Sequence, residues 1–167
     1  MKKKLIILGI ASIALLTGCG QQNENKYTTG VENTEPTEKQ MVCTRTTNMN
    51  GVEMDLRYEV YYEGENVNRV QTTEKVKSDS QEVLNQFKDQ VETLYSNFDD
   101  IENYNYNVTI EGNLLTSTTD INYTKINMDE LLAVDSSIEQ LLNDNDKIDL
   151  DTIIQVYEAA GATCEEE

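Results

Sequence analysis

Three cysteines, Cys19, Cys43 and Cys164, and 31 carboxylates are the side chains of this 167-residue chain with the most chemistry to offer. Thiolates take acyl groups, form disulfides, ligate metals or attack carbonyls, and close carboxylate couples carry out acid–base hydrolysis. Histidine and tryptophan are both absent. Without histidine the chain lacks the commonest metal ligand, the usual general base and every Ser-His or Cys-His arrangement. No C-x-x-C sets two thiols up for redox exchange, no G-x-S-x-G or S-x-x-K surrounds a serine, and no glycine loop is built to cradle phosphate. The run DNDKIDLD, Asp144–Asp151, invites a calcium reading. Counted from Asp144, however, it has Ile148 at the fifth position, Asp149 where glycine is needed and Gln155 where a bidentate glutamate is needed. It reads as a solvated loop capping the next helix, with a weak, noncanonical cation site as the lesser alternative, and neither metal nor cofactor is expected. Glu53 with Asp55, or Glu59 facing another strand, would be the couple of a carboxylate-dependent hydrolase. Spacing along a strand does not bring such acids together, so no catalytic residue is assigned.

Cys19 has a setting of its own. Lys2, Lys3 and Lys4 precede the apolar run LIILGIASIALL, Leu5–Leu16, which has the length of a signal-peptide core and is short for a membrane span. The next residues, LTGC, Leu16–Cys19, resemble the bacterial lipobox. That resemblance implies cleavage after residue 18 and a diacylglyceryl thioether on Cys19, so that membrane lipid is the expected partner. An ordinary secretory signal that carries a cysteine, or an uncleaved anchor, is the alternative; the agreement in position of basic start, core length and box favours lipidation. Two acyl chains, at about 0.8 kcal/mol per buried methylene, hold a protein on a bilayer far better than one.

With Cys19 committed to lipid, Cys43 and Cys164 remain, in a domain expected outside the cytoplasm, where disulfides persist. They are expected to pair and to close nearly the whole folded region; two free buried thiols or a redox pair are the rival readings. Of the 13 basic and 31 acidic residues, Lys2, Lys3 and Lys4 fall before Cys19, so 10 basic residues face all 31 acids and the charge from Cys19 onward is −21. Such a surface repels nucleic acid and anionic headgroups alike. Most of the acid reads as solvated faces rather than as a site for a cationic partner.

Residues 19–40, nearly free of apolar side chains and holding the only proline, Pro36, read as a disordered tether, which leaves 41–167 as one domain. In GVEMDLRYEVYYEG, Val52, Met54, Leu56, Tyr58, Val60 and Tyr62 alternate with polar residues, the pattern of a strand with one buried face. VCTRTTNMNG before it makes another strand, joined through Asn50-Gly51, a hairpin signal. VNRVQTTEKVK is the third, with Val70, Thr72 and Val76 in register. SDSQEVLNQFKDQVETLYSNF then switches to helical spacing, with Ser78, Asp79 and Ser80 as caps and Ser78 with Gln81 as a capping box. Two further strands carry Tyr104, Tyr106, Val108 and Ile110, then Leu115, Ile121 and Tyr123, around a turn at Gly112. Short helices are expected around Leu131, Ile138–Leu142 and Leu150–Ala160, the last capped by Asp149 and ended by Gly161. The order β-β-β-α-β-β-α-α-α predicts an α+β fold: an antiparallel sheet of about five strands with helices packed on one face. Tyr58, Tyr62, Tyr104, Tyr106 and Tyr123 could line a sugar- or peptide-binding groove, but packing explains them more simply; Tyr61, on the opposite face, is the better candidate for exposure.

The stretch YEVYYEGENVNRVQTTEK, the tyrosine-bearing strand before EGN, the terminal YEAAGATC and a lipobox in front are together similar to the YehR-like small bacterial lipoproteins. The resemblance implies a lipoprotein with an α+β domain and carries no active site onto any position. The expected function is therefore that of a lipid-anchored envelope protein on the extracytoplasmic face, a noncatalytic binding or structural module, with an extracytoplasmic hydrolase as the alternative. A transporter's solute receptor is disfavoured, since one domain of this length does not make two lobes. The Asn-rich, Lys-containing composition leans towards a Gram-positive membrane.

Overall fold

The structure, a computed structural model, describes residues 38–167. Cys19, the expected signal peptide and nearly all of the expected tether lie outside the described residues. Among those described, no helix is long and apolar enough to cross a membrane.

Among the described residues six strands form one antiparallel sheet: β1 Lys39–Met49, β2 Val52–Glu63, β3 Asn66–Lys77, β4 Tyr104–Glu111, β5 Leu114–Asn122 and β6 Thr163–Glu166, in the order β4-β5-β3-β2-β1-β6. The strand expected from Val42 opens at Lys39. Asn50 and Gly51 both take positive φ, 54° and 79°, the twist that lets two residues join β1 to β2. The first five strands are those the two-residue period marks out. The sixth, β6, corrects the expected count: TCEE is too short to show a period, and pairing with β1 holds it as a strand.

Alternation sends Val60 and Tyr62 of β2 and Val70 and Val76 of β3 to one face, where all four are buried. A bulge opposite Tyr61 and Tyr62 breaks the period in β3 and turns Val67, 3% exposed, onto that face as well. Helix α1, Gln81–Tyr95, covers the β4–β5 side of this face, and α3, Leu150–Ala159, lies against β1 and β6. Burial of Leu84 and Phe87 holds α1 down, each worth about 1.5–3 kcal/mol. Its cap is Ser80, whose Oγ accepts from the Val83 amide at 3.3 Å. The expected Ser78–Gln81 box does not form. Gln81 instead donates to the Gly112 carbonyl, 2.7 Å, and the Ser78 amide to that of Asn113, 3.0 Å, pinning the helix start to the β4–β5 turn.

Two short helical pieces close the open side. Helix α2, Met128–Val134, puts Leu131 in a cluster with Phe98, Ile101 and Ile126. The short helix expected around Ile138–Leu142 is a 3₁₀ turn over Ser136–Leu141, begun by the Asp135 side chain. Helix α3 is capped by Asp149, which accepts from the Thr152 amide at 2.8 Å, and ends at Gly161, φ 92°. There the Ala162 amide reaches back to the Tyr157 carbonyl, 3.0 Å, as in a Schellman close. Ile153 of α3 joins Val60, Tyr62, Val67, Val70 and Ile148 in the main core.

Candidate functional site

The covered face carries a polar band as well as the core. Ladder register sets Arg45, Leu56, Glu74, Ser117 and Val108 in one cross-strand row; Cys164, Cys43, Tyr58, Thr72, Thr119 and Tyr106 form the next. Ser117 and Thr119 are buried, 3% and 6% exposed. Arg45 and Glu74 stand two strands apart with Leu56 between them, about 10 Å at the backbone. Arg45 donates through Nη1 to the Ala160 carbonyl at the end of α3, 2.6 Å, and so ties the helix to β1.

Tyrosines roof this band. Tyr157 of α3 stacks on Tyr58 of β2, centroids 3.8 Å apart and planes 10° from parallel. Tyr95 of α1 lies 5.5 Å from Tyr106 and 6.3 Å from Tyr104, and Tyr104 stacks on Phe98 at 4.5 Å. Burial pushes the Tyr58 phenol up to about 12, with the Glu74 charge adding to the rise. Burial also raises Tyr95, Tyr104, Tyr123 and Tyr157, so these hydroxyls stay protonated donors at neutral pH. Glu74 itself is raised above the ordinary carboxylate range by burial, and the Arg45 charge pulls partly against that.

The five expected tyrosines are therefore packing residues first. Tyr62 is buried, Tyr58 and Tyr104 are stacked, Tyr123 joins two core clusters, and Tyr106 is half-buried under α1. Tyr61 points to the open face but is only half-exposed: its hydroxyl meets Gln71 Oε1 at 3.1 Å and the Arg69 guanidinium lies 5.9 Å from its ring. Sequence reasoning missed Arg45 and Glu74. The available signal was their parity, since Glu74 falls between Thr72 and Val76 on the apolar side of β3.

The acids considered as a hydrolytic couple lie on the other face, each beside a basic or hydroxyl neighbour. Glu53 stands opposite Lys77; Asp55 stands opposite Lys75 and accepts from Thr46 Oγ1 at 2.6 Å; Glu59 pairs with Arg57 at 3.3 Å. Glu74, the raised carboxylate, has Arg45 rather than a second acid for its charged neighbour. Among the described residues no three Cys, Asp or Glu side chains gather as a metal set. The Asp144–Lys147 stretch is an exposed loop, tied by Asn143 Oδ1, which accepts from the amides of Asn145 and Lys147.

A separate concavity of about 360 Å³ opens at the β2–β3 end of the sheet. Its apolar lining includes Val67, Tyr123, Ile126 and Ile148; Asn66, Asn68, Glu63 and Lys147 are among its polar groups.

The sheet, its helical cover and the bond between Cys43 and Cys164, 121 residues apart, define a small disulfide-closed α+β domain. The chain belongs to the family described as proteins of unknown function, DUF1307, whose model matches residues 43–163. The solved structures similar to this chain include the Escherichia coli YehR protein. That structure, determined by NMR, is 18% identical, with a TM-score of 0.49 over 80% of this chain and 93% of YehR. An NMR structure of a protein from Streptococcus pneumoniae TIGR4 is 16% identical, with a TM-score of 0.48 over 91% of this chain and 100% of that one. No curated protein matches the chain.

Proposed function

We propose that the protein is a lipid-anchored envelope lipoprotein whose domain works outside the cytoplasm as a noncatalytic binding or structural module. In this reading residues 1–18 are removed, Cys19 carries the diacylglyceryl thioether, residues 19–40 tether the domain and 41–167 form it. The observation that carries the reading is the Cys43–Cys164 disulfide. Such a bond belongs to oxidising compartments, and it leaves Cys19 as the one cysteine outside the pair, in the sequence context of a lipobox. The covered face supports a noncatalytic role: its tyrosine rings pack helices α1 and α3 against the sheet, and its raised carboxylate, Glu74, has Arg45 rather than a second acid as its charged neighbour. The Asn-rich, Lys-containing composition favours the outer face of a Gram-positive membrane. Metabolic labelling with a palmitate analogue tests the anchor. The label is expected in the wild-type protein and lost in Cys19→Ser; a wild-type protein that takes up no label overturns the assignment.

A further inference from the structure

The two edges of the sheet are treated differently. On one side β6 is four residues long and ends in Glu165 and Glu166, devices that discourage another strand from joining. On the other side β4, YNYNVTIE, runs eight residues with no lysine, proline or bulge, and no described strand lies beyond it. Between Asn103 and Thr119 the one charged residue is Glu111, in a chain that is 26% charged. Loss of charge marks the centres of protein interfaces.

The backbone fixes which groups β4 offers. Gly112 and Asn113 form a two-residue turn with Gly112 at φ 61°, and the Asn122 amide donates to the Asn103 carbonyl at 3.1 Å. Odd-numbered residues of β4 therefore bond to β5, and even-numbered ones turn their amides and carbonyls outward. The Tyr104 amide is taken by the Ile101 carbonyl, 3.2 Å. Tyr106, Val108 and Ile110 are left offering donors and acceptors, and their side chains are half-buried.

We infer that β4 pairs antiparallel with β4 of a second copy of this chain, about a two-fold axis at Val108, to make one continuous sheet. This register uses all three outward donors and all three outward acceptors on each copy. It sets Tyr106 against Ile110 of the second copy and Val108 against its equivalent, aromatic-to-branched and branched-to-branched contacts that stabilise strand pairs. On the open face Asn107 meets Thr109, and Glu111 meets Asn105 rather than its own copy. Self-pairing fits this edge because its sequence complements itself, and because a chain of net charge −18 can approach its copy closely only where charge is missing.

Sedimentation equilibrium of the full-length chain in detergent micelles tests the inference, with Asn107→Lys/Thr109→Lys as the variant. Both positions are exposed, so the fold is retained, and each new lysine would face a lysine of the second copy. A wild-type dimer is expected, with association weakened about tenfold or more in the variant, the circular dichroism spectrum unchanged and the thermal midpoint lowered only as far as the lost association requires. In a Cys19→Ser background, which leaves no other free thiol, a short bismaleimide should couple Asn107→Cys into dimers, because the diagonal distance to its equivalent is about 7–8 Å; Asn48→Cys, on the far edge, should stay monomeric. A monomeric wild-type chain, a dimer indifferent to the lysines, or coupling through Asn48→Cys instead would each overturn it.

Discussion

Tyr58 and Tyr157 lie ring on ring, 3.8 Å between centroids, joining the middle of strand β2 to the last helix. The pair stands beside the Cys43–Cys164 bond in the same part of the sheet, since Tyr58 is the ladder partner of Cys43. One site thus anchors α3 and the strand that follows it. The ring, rather than the hydroxyl, supplies most of the hold. Tyr157→Ala should lower stability by about 3 kcal/mol and Tyr157→Phe by less than about 1 kcal/mol, compared by urea unfolding. Equal losses in the two variants would assign the role to the hydroxyl.

Removing the covalent link should loosen a defined element. Cys43→Ser/Cys164→Ser is expected to cost roughly 2–5 kcal/mol, and amide exchange should accelerate first in Thr163–Glu166, where the four-residue pairing with β1 and the exposed Lys39–Glu166 ion pair remain. Protection unchanged across β6 would mean that hydrogen bonds alone secure it.

Glu74 gives the domain a pH signature. Its folded pKa lies above the ordinary value of 4.5 because burial disfavours the charged form. Between 4.5 and the raised value the folded state holds the extra proton, so stability from this group falls as pH rises through that window and stays reduced above it. Glu74→Gln removes the ionisation. It should be more stable than wild type at pH 7, and the difference should shrink as the pH is lowered to 4.5 and below. A difference that stays constant with pH would contradict this account.

Much of the fold was legible in the sequence, because period-two alternation in Val52–Tyr62 and Tyr104–Ile110 and the helical stripe of Val83–Phe98 are local signals of burial. What was not legible depended on contacts distant in sequence. β6 forms only where β1 receives it, and Val67 reaches the core only through a bulge. Gln81 gives up its box for a carbonyl of the β4–β5 turn. The polar band was hidden for a different reason: Arg45 and Glu74 occupy apolar parity within their strands, and a reading that credits only hydrophobic residues to that parity passes over them. Cys43 and Cys164 were found by elimination, which needs no geometry.

Because the described chain enters through Lys39 at the start of β1, any tug arriving from the N-terminal side is applied along that strand, between β2 and β6. Ladder hydrogen bonds run across the direction of such a pull and bear it together rather than one after another. The sulfur link at Cys43, four residues inward, passes the load on to the far end of the polypeptide. A pull along β1 is therefore shared between its ladder bonds and the disulfide.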